Sequence, residues 1–186
     1  MSNPKTYAEW MVCFNQFKEG AKDEETIQSM ESGVINWSKG VAERLTQRLY
    51  EAIDYRLRLS ANQLQKDLDY SRDIETEVVK ALLSARKRLA VIHRAATIRS
   101  FPEEVRDTME NLLIDYAKNT QQSLEDSAKS DRTGRLRMMI GNNPITTFDK
   151  VENLFGAVKT SVEDNQIKDS SNQMNGKMNR RRVILS

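Results

Sequence analysis

The sequence predicts an all-α fold: a multi-helix bundle of long helices that kink or separate along their length, followed by a flexible basic C-terminal tail. Three observations carry this. Apolar residues recur at steps of three and four through most of the chain, the signature of one buried helix face. No strand-like alternation is sustained anywhere. The breaks in the periodicity coincide with Gly, Pro, Ser or Asp. With 186 residues, 38% hydrophobic and 30% charged, the chain suits a globular domain with its own core. It divides into a helical subdomain at 1–72, a second at 73–159 sharing its core, and a tail at 160–186.

The first helix is expected from Thr6 to Gly20, with Tyr7, Trp10, Phe14 and Phe17 on one face. Four of the twelve aromatic residues lie on this short stretch, which concentrates apolar surface there. It serves as a plug on the core or as a partner-binding or self-association helix. Cys13, the single cysteine, sits among apolar residues and is expected as a buried thiol. One cysteine permits no internal disulfide, which with the absence of an export signal points to a cytoplasmic protein.

Asp23, Glu24 and Glu25 open the next helix, where acidic side chains complement the positive end of the dipole. Its apolar stripe then changes from heptad spacing to Val41, Leu45, Leu49, Ile53 and Leu57, four steps of four that rotate the stripe by roughly 160°. Such a stripe demands a break near Gly33 or Gly40, or different neighbours along the length. Ser60 to Gln63 fits a capping box and so predicts a new helix start. A single helix from Ala61 to Arg99 would be about 58 Å long, against about 40 Å for a compact domain of this size. A kink near Ser71-Arg72-Asp73 removes the conflict, and so does an elongated molecule that assembles with copies of itself.

The stretch Val78–Pro102 holds Lys80, Arg86, Lys87, Arg88, Arg94 and Arg99 with no acidic residue. Val78, Leu82, Ala85, Leu89, Ile92 and Ala96 form its apolar stripe. Lys80, Lys87 and Arg94 fall in one row opposite that stripe. Leu83, Val91 and Ile98 make the helix partly apolar all round, which places it centrally. Ser100, Pro102 and Glu103 read as the cap, first turn and box of the following helix, whose Glu103, Glu104, Asp107, Glu110, Asp115, Glu125 and Asp126 make it an acidic antiparallel neighbour. Residues 130–144 are expected as a loop carrying Arg132, Arg135 and Arg137. A short helix from about Thr147 and a tail ending in Arg180, Arg181 and Arg182 complete the chain.

The net charge of +2 conceals this segregation. Residues 78–102 carry six basic and no acidic residues, and residues 103–128 carry two against seven. Either the acidic helix absorbs the charge or a polyanion does. One histidine, His93, and no glycine-rich phosphate loop leave no recognisable catalytic, cofactor or metal arrangement, so a non-enzymatic protein is expected. The first functional expectation is sequence-indifferent binding of nucleic acid, RNA ahead of DNA, by phosphate contacts from Lys80, Lys87, Arg88, Arg94, Arg99, Arg132, Arg135 and Arg137. RNA leads because no DNA-reading module is recognisable. A homo-oligomer is expected, with no integral membrane contact, and the part would suit a viral or phage accessory or coat-like protein. The rival expectation is an adaptor or chaperone whose aromatic helix at Tyr7–Phe17 holds a protein partner.

Overall fold

The computed structural model describes residues 3–71 and 74–146. Six helices follow in order: α1 (Tyr7–Glu19), α2 (Asp23–Glu31), α3 (Lys39–Ser71), α4 (Glu75–Ala96), α5 (Glu103–Ala128) and α6 (Arg135–Asn142). No strand occurs among the described residues. The short helix expected from Thr147 and the tail with Arg180–Arg182 lie outside them.

Local signals set α1 as expected. The Thr6 hydroxyl accepts from Glu9 N–H while the Glu9 carboxylate accepts from Thr6 N–H, a complete capping box. Gly20 ends the helix at φ +72, a left-handed conformation that glycine adopts without penalty. The aromatic face of α1 is spent inside the chain. Trp10 and Phe17 are fully buried and Phe14 nearly so. The Trp10 ring centroid lies 5.8 Å from that of Phe14, 6.2 Å from Trp37 and 5.4 Å from Phe101. Gly33 closes this cluster, because a Cβ there would lie 2.6 Å from the Trp10 ring and 2.7 Å from Pro4. Cys13 is buried as expected, and burial pushes its thiol pKa up.

The apolar stripe breaks between the two glycines that bracket it. Residues 32–38 form a connection, and α3 then runs unbroken for 33 residues, about 50 Å. The expected helix start at Ser60 is corrected: α3 passes straight through it. No helix stop precedes Ser60, and its buried hydroxyl accepts from Arg88 Nε at 3.3 Å. The break expected near Ser71 is present, since α3 ends there and α4 starts at Glu75. Ser100 does not cap α5 either. Its hydroxyl donates to the Met30 carbonyl at 2.9 Å, near the end of α2, an oxygen that also accepts from Gly33 N–H.

α4 packs against α2, α3, α5 and α6, so it is the central helix. α3 and α5 both run antiparallel to α4 and hence parallel to each other, and the Tyr116 hydroxyl donates to the Leu57 carbonyl at 2.6 Å between them. All six helices contribute to one apolar core. The one expected loop that proved helical is α6. Leu136, Met139 and Ile140 sit at i, i+3 and i+4, and the last two are buried in that core.

Arg56 fastens the N-terminal helices to α3. Its guanidinium donates to both carboxylate oxygens of Asp23, at 2.7 and 2.8 Å, and to the Phe17 carbonyl at 2.6 Å. It also lies 4.9 Å from the Phe17 ring centroid. The Arg56 side chain is only 10% exposed. Replacing it with methionine keeps most of the volume but strands Asp23 and a helix-terminal carbonyl. Urea denaturation is expected to show a loss of about 2–4 kcal/mol, and a loss below about 1 kcal/mol would refute the fastening role.

Candidate nucleic-acid interface

The basic stretch becomes α4 and the turn after it, but its charges meet different fates. Arg94, expected in the outward row, is clamped. Its Nη1 lies 2.8 Å from Glu24 and its Nε 3.2 Å from Glu31, both on α2. Those carboxylates raise its pKa further, first through the hydrogen bonds of Glu24 and then through those of Glu31. Arg88 is half-buried, donating to Ser60 and Ser84 with Asp67 3.7 Å away. Burial lowers its pKa, and Asp67 opposes that shift.

Lys80 is exposed and paired with Glu77 at 2.7 Å within its own helix. It lines a shallow hollow of about 360 Å³ together with Asp67, Tyr70, Glu77 and Ser84. Two carboxylates there make a poor phosphate cradle. Lys87 and Arg99 are exposed, and neither makes an ion pair among the described residues. The single row of three therefore resolves into one free lysine, one loosely paired lysine and one arginine committed to the fold.

The acidic helix α5 contributes little to this neutralisation. Its closest approach to the basic residues of α4 is Glu110, 3.8 Å from His93 Nε2. Arg94 takes its partners from α2, a helix with no basic residue of its own. Sequence proximity pointed to α5, whereas the tertiary packing brings α2 across the end of α4.

Arg132, Arg135 and Arg137 form an exposed basic group. Arg132 lies in the turn before α6, and Arg135 and Arg137 occupy its first turn. None makes a side-chain hydrogen bond or ion pair among the described residues. Asp131 shapes the turn: its carboxylate accepts from Leu136 N–H at 2.9 Å and from the Thr133 N–H and hydroxyl at 2.9 and 2.8 Å. These bonds, led by Leu136, hold its pKa below the ordinary carboxylate range. Cations at a helix N-terminus oppose the macrodipole, so stability does not call for Arg135 and Arg137 there.

Of the aromatic residues expected as a partner surface, Trp10, Phe14 and Phe17 are internal, and only Tyr7 reaches solvent, at 37%. No helix among the described residues is long and apolar enough to cross a membrane, and no cluster there has the composition of a metal site. No family model, no curated protein and no solved structure matches this chain.

Two outcomes are expected. Arg94→Ala, which removes a partly exposed bridge, lowers stability by about 1 kcal/mol, read from urea denaturation. A carboxylate with a depressed folded pKa stabilises fully above its unfolded value and loses that contribution as pH falls through the folded one. Protection of the Leu136 amide against hydrogen exchange is therefore steady at neutral pH and lost below the ordinary carboxylate range. In Asp131→Asn, the protection is already weakened at neutral pH.

Proposed function

We propose that this protein binds nucleic acid through its phosphates, RNA ahead of DNA, without sequence choice and without catalysis. The observation that carries the reading is the group Arg132, Arg135 and Arg137: exposed, unpaired among the described residues, and set at the end of α6 where a cation is least favoured. Asp131 compensates part of this charge, through Leu136 N–H and its attraction to Arg135, and a polyanion adds to that compensation. Arginine suits the task because its planar guanidinium donates two parallel hydrogen bonds to one phosphate.

Lys87 and Arg99 extend the surface, and Lys80, beside Glu77 and Asp67, adds little to it. Arg94 and Arg88 serve the same reading indirectly, by holding α2 and α3 against the helix that bears the free lysine. Contacts of this kind track charge spacing rather than base identity.

Joint replacement of Arg132, Arg135 and Arg137 by glutamate is the direct test, because all three are solvent-exposed. Affinity for a mixed-sequence RNA is expected to fall by about tenfold or more, and the slope of log affinity against log salt to become shallower. An unchanged affinity and slope in a variant with an unchanged circular dichroism spectrum would overturn the assignment. A helical protein adaptor would instead purify without nucleic acid and show no salt-dependent RNA binding.

A further inference from the structure

Arg94 holds more negative charge than one guanidinium neutralises. Glu31 accepts from its Nε at 3.2 Å and its Nη2 at 3.4 Å, and both oxygens of Glu24 accept from its Nη1 at 2.8 Å. The Arg94 side chain stays 33% exposed. The other two acids of α2 are engaged elsewhere, Asp23 with Arg56 and Glu25 with Lys22 at 3.5 Å. On α4, His93 faces Glu110 of α5. Lys87 precedes Arg94 by seven positions in the same row, about 10.5 Å along the helix. It is exposed and makes no ion pair among the described residues.

The two glutamates are not equivalent. Glu24 lies in the first turn of α2, where the helix dipole favours a carboxylate, and its bonds to Arg94 are the shorter ones. Glu31 is the last residue of α2, where the dipole opposes a carboxylate. It covers the Nε–Nη2 edge, whose two parallel N–H groups suit two oxygens of one phosphate. The seating of α2 does not depend on Glu31. Asp23 bonds to Arg56, Ser100 donates to the Met30 carbonyl, and Ile27 and Met30 are buried.

We propose that Arg94 is a guarded phosphate site: Glu31 holds its Nε–Nη2 edge in the free protein and yields that edge to an RNA phosphate. Glu24 keeps Nη1 throughout, so the brace between α2 and α4 survives the exchange. The Glu31 side chain is 40% exposed, and an ion pair this open to water contributes little stability, so it is readily displaced. Lys87, free from the start, holds the strand close enough to compete with Glu31 for the guanidinium. The inference rests on the nucleic-acid reading and adds to it a residue that the free protein keeps closed. Glu31 then limits affinity, because each binding event exposes its carboxylate beside the strand.

The test is the affinity of the full-length chain for a labelled mixed-sequence RNA, read by fluorescence anisotropy across a salt series. Glu31→Gln is expected to bind about fivefold more tightly, with the slope of log affinity against log salt steeper by about one. Glu24→Gln removes the same charge from the same guanidinium but leaves the Nε–Nη2 edge held, so its gain is expected to be clearly smaller. In an Arg94→Gln chain, adding Glu31→Gln is expected to change affinity by less than about twofold. Equal gains from the two glutamate substitutions, or the same gain with and without Arg94, would reduce the effect to general charge removal and overturn the inference. Should a variant lose its circular dichroism spectrum, the unaltered chain carries the test. The ¹⁵N-edited NMR signal of the Arg94 Nε–H, identified by its absence in Arg94→Lys, is expected to shift as RNA is added, and a signal that stays in place would overturn the site. An unaltered chain that binds no RNA overturns this inference and the nucleic-acid reading together. Coupling between Glu31 and Arg94 in a chain indifferent to replacement of Arg132, Arg135 and Arg137 upholds the guarded site and overturns the other assignment.

Discussion

Arg56 is the constraint on which the N-terminal half depends. One guanidinium meets the last turn of α1 at the Phe17 carbonyl, the first turn of α2 at Asp23, and the Phe17 ring, from a buried position on α3. A Cβ on Gly20 would lie 2.8 Å from the same guanidinium, so the left-handed turn between α1 and α2 also admits it. Removing two ionic groups from water is costly, and the return here is geometric: three helices meet at one planar donor in a single arrangement. The aromatic cluster of Trp10, Phe14, Trp37 and Phe101 then closes over the end of the core.

This arrangement determines what the basic helix has to offer. With α2 seated by Arg56, Glu24 and Glu31 come within reach of Arg94, and the charge at the end of α4 becomes a brace. Arg88 is drawn toward Ser60 and Asp67 on α3 in the same way. In the basic stretch the cations that stay exposed without an ion pair among the described residues are Lys87 and Arg99, and Arg132, Arg135 and Arg137 are exposed before and within the first turn of α6. The charged surface is thus a remainder, defined by which acids the packing brings near.

The candidate site was legible in part. The exposure of Lys80, Lys87, Arg99, Arg132, Arg135 and Arg137 agrees with their placement away from apolar stripes. Arg94 was misjudged, because its partners lie 63 and 70 residues away along the chain and no local pattern announces them. α6 was hidden by Gly134, Gly141 and three arginines, although Leu136, Met139 and Ile140 carry helix spacing.

By itself, the sequence determined the helical class, the ends of α1, the break between α3 and α4, and the central position of the basic helix. These follow from spacing and capping, which act between residues a few positions apart. Tertiary structure alone decided that α3 runs through Ser60, that Ser100 serves α2 rather than α5, and that the aromatic face of α1 is internal. It also decided which positive charges are spent within the fold. Burial and ion pairing depend on which helices meet, and that is fixed by contacts such as Arg56 with Asp23, 33 residues apart.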